Sequence, residues 1–508
     1  MARRKTTEAF TFDRRSSGVL LHPTSLPGPH PTGDIGAAAY AFVDWLARAG
    51  QRWWQMLPTG PIDFAGSPYS GFSAFAFNPL LIDLQGLYED GLLPRAAVKS
   101  VGKRGATRVD FDANESFRLA RLRQASQNFF THRRGRAAFD RFCAAEAQWL
   151  DGAALFFAIR ESCGRRPWWA WDTPLRRRRT AALREAAEHL ADDVRLFKFT
   201  QYIADLQWGK LRKYANQRGI GLIGDLPIFV SHDSSDVWEQ PELFTLKPDG
   251  TCRVVSGAAP DDFSPIGQLW GHPLYRWNVH RKTGYDWWTR RFARLFTQFD
   301  GVRIDHFLGF NRYWEVPGDA ETAVAGRWKQ GPRHHFFATV LPALEKLGCN
   351  GQIIAEDLGL LIPAAERLRD DFEFPGMRVI QFGFGQDDGY HLPHNCPPRS
   401  IAYTGTHDND TVVGWWKGAS KDERRRALTY TGGTGKTIAE DLVRVVSAGP
   451  ANVSVFPMQD LLGLGRSARM NVPGTTGGAN WRWRLRPGQT SAAVADKLSA
   501  LASLTGRL

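Results

Sequence analysis

Three carboxylates follow short apolar runs in the second half of the chain: Asp305 after Gly301-Val-Arg-Ile, Glu356 after Gln352-Ile-Ile-Ala, and Asp408 after Ile401-Ala-Tyr-Thr-Gly-Thr-His. Side chains alternate along an extended segment, so Val302 and Ile304 share one face while Arg303 and Asp305 share the other. A guanidinium beside Asp305 favours its anion, the form that a nucleophile needs at neutral pH. An ordinary ion pair at a strand end has the same pattern, so this pair alone leaves both readings open. The other two carboxylates supply what retaining glycoside chemistry requires. One ionised carboxylate attacks the anomeric carbon, and a second, protonated carboxyl delivers its proton to the leaving oxygen. Asp305 suits the first task and Glu356, after three apolar residues, suits the second. Asp408, beside His407, suits hydrogen bonding to sugar hydroxyls and a distorted ring. A metal site on His407, Asp408 and Asp410 is the competing reading of that stretch. No complementary run of ligands accompanies it, and neither metal nor cofactor is expected.

Carboxylates gathered from several strand ends call for a parallel α/β barrel with its site on the C-terminal face. Buried or alternating runs predict strands at residues 18–22, 51–57, 220–226, 299–309, 352–359, 376–384, 401–410 and 453–456. Helical periodicity covers residues 37–49, closed by Gly50, and residues 285–296. The expected fold is a (β/α)8 TIM barrel with large helical and loop insertions, one catalytic domain over residues 1–508. Residues 92–217 read as a mainly helical insertion with loops at 102–105 and 167–174. Residues 240–290 read as a second insertion, with a Pro-, Asp- and aromatic-rich loop at 257–277 over the cleft. An aromatic loop at residues 66–75, carrying Ser67 and Tyr69, is long enough to be functional.

The composition excludes several classes. With 508 residues and 43% hydrophobic composition, the chain can bury a large core. The net charge of +13 invites nucleic-acid binding, but basic runs such as 176–179 lie in Ala/Glu/Arg-rich helical stretches and no nucleic-acid signature accompanies them. Five scattered cysteines without a Cys-x-x-Cys pair argue against a disulfide framework or structural zinc, and a reducing cytoplasm fits them. No uncharged apolar run reaches membrane-spanning length. The basic start Met-Ala-Arg-Arg-Lys runs into Thr-Thr-Glu, not an apolar core, and reads as a tail. Gly219-Ile-Gly-Leu-Ile-Gly224 matches a dinucleotide fingerprint in letters only, since a helical segment precedes it and a strand continues through Pro227. Nineteen tryptophans, several in pairs, suit core packing and also a groove that stacks on flat amphipathic rings.

Together the motifs resemble the amylomaltase or 4-α-glucanotransferase (disproportionating enzyme) family of the α-amylase clan. The resemblance spans nearly the whole chain. It rests on Leu20-Leu-His-Pro-Thr-Ser-Leu-Pro-Gly, Ser67-Pro-Tyr, Phe72-Ser-Ala-Phe, Gly224-Asp-Leu-Pro, Gly267-Gln-Leu-Trp-Gly, Arg303-Ile-Asp-His, Ala355-Glu-Asp-Leu-Gly, Gly405-Thr-His-Asp-Asn and Asn480-Trp-Arg-Trp. It implies Asp305 as nucleophile, Glu356 as acid/base and Asp408 as transition-state stabiliser. It further implies sugar contacts from Ser67, Tyr69, Asp225, Arg303, His407 and Asn480, with Trp270 on the acceptor side and Asp261 in the loop over the cleft. Two positions depart from the family pattern: Ala259-Pro-Asp where Pro-Pro-Asp is usual, and Gly271-His-Pro where Gly-Asn-Pro is usual. The implied partners are α-1,4 glucans and maltooligosaccharides, as donor and acceptor, with neither nucleic acid nor membrane. An α-glucan hydrolase with the same carboxylates, and a glucan-binding protein without activity, are the alternatives.

Overall fold

Val302 and Ile304, the apolar half of the alternating run, are fully buried, and Gly301–Asp305 forms a strand at the centre of the fold. The computed structural model describes residues 10–508 apart from 64, 100–105, 132–134, 261–263, 360–361 and 386–388. The N-terminal tail, the loop at 102–105 and Asp261 therefore lie outside the described residues.

Eight strands close into a barrel: β1 (Ser16–Leu20), β2 (Trp53–Gln55), β3 (Gly221–Pro227), β4 (Gly301–Asp305), β5 (Gln352–Ala355), β6 (Gly376–Val379), β7 (Ser400–Tyr403) and β8 (Val453–Pro457). Each pairs in parallel with its neighbours, and β8 closes on β1. Helices at Ala37–Arg48, Asp286–Gln298, His334–Lys346, Pro363–Asp371 and Ile438–Ala448 return the chain between successive strands. This is the (β/α)8 barrel that the strand-end carboxylates require.

The glycines of the dinucleotide-like stretch have structural work. Gly219, at φ +76°, ends the helix Ala191–Gln217. A side chain at Gly221 would meet the Trp53 ring at 2.6 Å, and one at Gly224 the Phe299 ring at 2.5 Å. These two glycines admit large aromatics against the strand, so the spacing reflects close packing and not phosphate binding.

Long helices Phe111–Thr131, Arg136–Ser162 and Ala191–Gln217 fill much of the chain between β2 and β3. By length and composition Arg136–Ser162 is apolar enough to cross a membrane. Here it packs on Ala191–Gln217, with Phe157 stacked on Phe197 at 4.6 Å. A separate four-stranded antiparallel sheet joins Gln268–Pro273, Val254–Ala258, Arg312–Pro317 and Arg327–Gln330. The loop expected over residues 257–277 therefore contains a strand. Several barrel strands also end sooner than the apolar runs suggested, β4 at Asp305 and β5 at Ala355 among them. β6 stops at Val379 and β7 at Tyr403; beyond them Gln381 Nε2 donates to the carbonyls of Thr404 and Asp410, so side chains replace the ladder. Most paired tryptophans, Trp53, Trp54, Trp168, Trp287 and Trp288, are core residues.

At the N-terminal mouth of the barrel, buried Arg507 donates all five guanidinium N–H groups to carbonyls: Nε to Ser447, Nη1 to Ser16 and Asn452, and Nη2 to Gly449 and Ala451, at 2.7–3.1 Å. Burial, then Arg15 nearby, lowers its pKa to about 9, so it stays a cation at neutral pH. It ties the start of β1 to the turn entering β8. Arg507→Ala removes the cation and strands several buried carbonyls, each costing about 1–3 kcal/mol when unpaired. A loss of about 2–4 kcal/mol is expected. A thermal or denaturant unfolding midpoint checks it; an unchanged midpoint would show that water replaces the guanidinium without cost.

Candidate functional site

The C-terminal ends of β3, β4 and β5 converge on Arg303, which is 4% exposed. Its Nη1 reaches both oxygens of Asp225, at 2.9 and 2.8 Å, and Asp305 Oδ1 at 3.0 Å. Its Nη2 lies 4.0 Å from Glu356 Oε2. Three carboxylates thus surround one cation, and cross-strand register sets them there: Asp225 on β3 is opposite Arg303 on β4, and Glu356 directly follows β5. Burial opposes the charge on Arg303, but Asp225 and Asp305 outweigh it and hold the guanidinium well above its ordinary pKa.

One cation balances fewer than three anions, so a proton is retained in the cluster. Burial pushes both Asp225 and Glu356 up to about 7, opposed by Arg303 and reinforced by Asp305. Asp225 is the better-supported anion, because it also accepts from the Tyr69 hydroxyl at 2.8 Å. Glu356 stands farther from the guanidinium and is the better proton holder. Its oxygens accept from the backbone N–H of His306 at 2.7 Å and of Leu358 at 3.0 Å, which fix its orientation. His306 reaches it from a left-handed conformation, φ +52°, an uncommon state for a residue with a side chain and a form of strain that gathers at functional sites.

Asp408 enters from the loop after β7. Its Oδ2 lies 3.3 Å from His407 Nε2, and its Oδ1 accepts from Asn471 Nδ2 at 2.7 Å. Burial, against the pull of Asp408, keeps buried His407 below its ordinary pKa and neutral. The imidazole stacks on Tyr69 with centroids 5.1 Å apart and planes 17° apart. Asp410 faces Arg466 instead, at 2.6 Å, and contributes nothing to the cluster.

The remaining expected residues divide by what their side chains touch. Ser67 Oγ accepts from the Tyr69 N–H at 3.3 Å, so it shapes the turn that presents Tyr69. Asn480 has its amide engaged within its own loop, accepting from Val472 N–H and donating to Thr475. Trp270 stands edge-on to His306, centroids 4.8 Å apart at 83°. Residues not singled out as contacts also line the site. Trp481 lies 5.6 Å from Tyr69 and 6.0 Å from His407, ring to ring. Buried His22 interacts with His407, and burial lowers its pKa to about 3. Both lie within motifs quoted for the resemblance, which is the signal that finds them. Asn471 carries none, since only folding of residues 470–481 against the β7 loop brings it to Asp408.

Residues 21–490 match the 4-alpha-glucanotransferase family model. A 4-alpha-glucanotransferase of Synechocystis is 43% identical over 502 residues, covering 98% of this chain and 99% of that protein. The chloroplastic/amyloplastic 4-alpha-glucanotransferase of Solanum tuberosum is 40% identical over 509 residues, covering 98% of this chain and 87% of that one. The amylomaltase of Streptococcus agalactiae, solved in complex with acarbose, superposes with a TM-score of 0.93 at 38% identity, covering 97% of this chain and all of that one.

Proposed function

This chain belongs to the 4-alpha-glucanotransferase family, and we propose that within it Asp305 is the nucleophile, Glu356 the acid/base and Asp408 the group that steadies the distorted donor ring. The observation that carries this reading is Arg303 bound among Asp225, Asp305 and Glu356 at three adjacent strand ends. Arg303 holds Asp305 Oδ1; the other oxygen attacks the anomeric carbon of an α-1,4 glucan. As that bond forms, the Glu356 proton passes to the departing 4-oxygen, giving a free glucan and a β-glycosyl ester on Asp305. Glu356, now a carboxylate, takes the proton from the 4-hydroxyl of an acceptor glucan, which displaces Asp305. Two inversions give net retention. Tyr69 and neutral His407, with Trp481 beside them, form the wall for the donor ring, and Asp225 accepts its hydroxyls. Ser67 and Asn480 act through the loops that they brace.

Transfer prevails over hydrolysis when an acceptor ring fills the leaving-group side and excludes water. Trp270, against His306, serves that side. Residues 92–217 and 240–290 are then insertions that shape the cleft of one catalytic barrel, in a cytoplasmic enzyme acting on maltooligosaccharides.

Incubation with maltotriose, without added metal or cofactor, tests the reading. Glucose together with maltopentaose and longer chains, at constant total reducing ends, is the expected result. Rising reducing ends with only shorter products would establish a hydrolase instead, and unchanged maltotriose would reduce the protein to a binder.

A further inference from the structure

Strand Gln268–Pro273 does not pair evenly with its neighbour. Val255 lies opposite Pro273 and Gly257 opposite Leu269, so two steps along one strand meet four along the other, and Trp270, Gly271 and His272 bulge from the ladder. Trp270 and His272 are half-buried while Leu269 and Gly271 between them are exposed, which puts both rings on one face. That face is the cleft: Trp270 meets His306, the residue after Asp305, and His272 lies within electrostatic reach of Asp305 itself.

A second pair of rings continues outward. His272 also interacts with His232, in the loop after β3. His232 lies flat on Trp169, with centroids 3.7 Å apart and planes 4° apart. Trp168 ties the two segments together, its Nε1 donating to the His232 carbonyl at 2.7 Å and its N–H to Asp233 Oδ1 at 3.2 Å. His232 Nε2 donates to the Gly250 carbonyl at 2.8 Å, which fixes the tautomer and leaves Nδ1 as an acceptor. Planar groups thus run from beside the nucleophile, across the bulged strand, to the helical segment.

We propose that His232, backed by Trp169 and approached past His272, is an outer acceptor subsite that takes a glucose ring of the acceptor chain beyond the ring beside Trp270. A pyranose offers an apolar C–H face and a rim of hydroxyls; a rigid ring face with one lone pair at its edge complements both. Burial lowers His232 and His272 to about 4, so both rings are neutral at pH 7 and His232 Nδ1 carries no proton. Stacking on Trp169 fixes the imidazole before the sugar arrives, which reduces the ordering cost of binding.

The inference rests on the transferase reading and on Trp270 lying on the acceptor side. The test uses α-maltosyl fluoride as donor and compares kcat/KM for maltotriose with kcat/KM for glucose as acceptor. Glucose reaches only the inner position, so Trp169→Leu and His232→Ala are expected to lower the maltotriose-to-glucose ratio about tenfold, and Trp169→Phe to restore most of it. An unchanged ratio, including equal losses for both acceptors from disturbed packing, overturns the outer subsite and leaves the transferase reading standing. A wild-type enzyme that releases fluoride but transfers to neither acceptor overturns both.

Discussion

Asp305→Asn is expected to lower glucose release from maltotriose by on the order of 10⁴-fold or more while substrate binding is retained. The amide has the shape of the carboxylate but no anion with which to form the glycosyl ester. Its main neighbour keeps a partner, because Arg303 still holds both oxygens of buried Asp225. Fold and donor wall should therefore survive, and calorimetric titration with maltooligosaccharide should still report binding. This separates the two readings that the Arg303–Asp305 pair leaves open. A structural ion pair predicts a lowered unfolding midpoint with activity falling only in step with it. A nucleophile predicts near-complete loss of turnover in a protein as stable as the wild type. Activity within tenfold of wild type would remove Asp305 from the covalent step.

The barrel was legible where side-chain period and backbone pairing coincide. In Gly301–Asp305 the apolar residues face the core and the charged ones the mouth, so alternation located strand and site together. The overextended strands fail for a physical reason. Ile380 and Phe384, past the end of β6, are apolar because they pack with Leu442, Val446 and Phe456 in a second core that β8 shares through Phe456, not because they continue a ladder. Burial fixes composition there without fixing conformation. Gln268–Pro273 was hidden in a Gly- and Pro-rich run because it owes its extension to Val254–Ala258, itself held by Arg312–Pro317 on the far side of β4 in sequence. The same limit applies within the site. Asp305 and Glu356 declare themselves by local context, whereas Asn471 and the His232–Trp169 stack exist only once distant loops meet.

Glu356→Gln is expected to reduce transfer between maltooligosaccharides by about 10²–10⁴-fold and to abolish the alkaline fall of kcat/KM. Burial, aided by Asp305 and opposed by Arg303, raises the Glu356 carboxyl to about 7. If Glu356 is the acid, the first half-reaction consumes its proton, so the competent fraction is full below that value and falls about tenfold per pH unit above it. The amide cannot titrate, so the residual rate of the variant should be flat through the same range. A maltosyl fluoride donor sharpens the contrast, since fluoride leaves with little help from an acid. The first step should recover in Glu356→Gln while the second, which needs a base, stays slow. The maltosyl ester on Asp305 should then accumulate as a stable increase in protein mass, and Asp305→Asn should show none. An alkaline fall that persists in Glu356→Gln would belong to Asp225, the other carboxyl that burial raises to about 7. It would move the limiting proton from the leaving oxygen to the pair that holds Tyr69 and Arg303 in place.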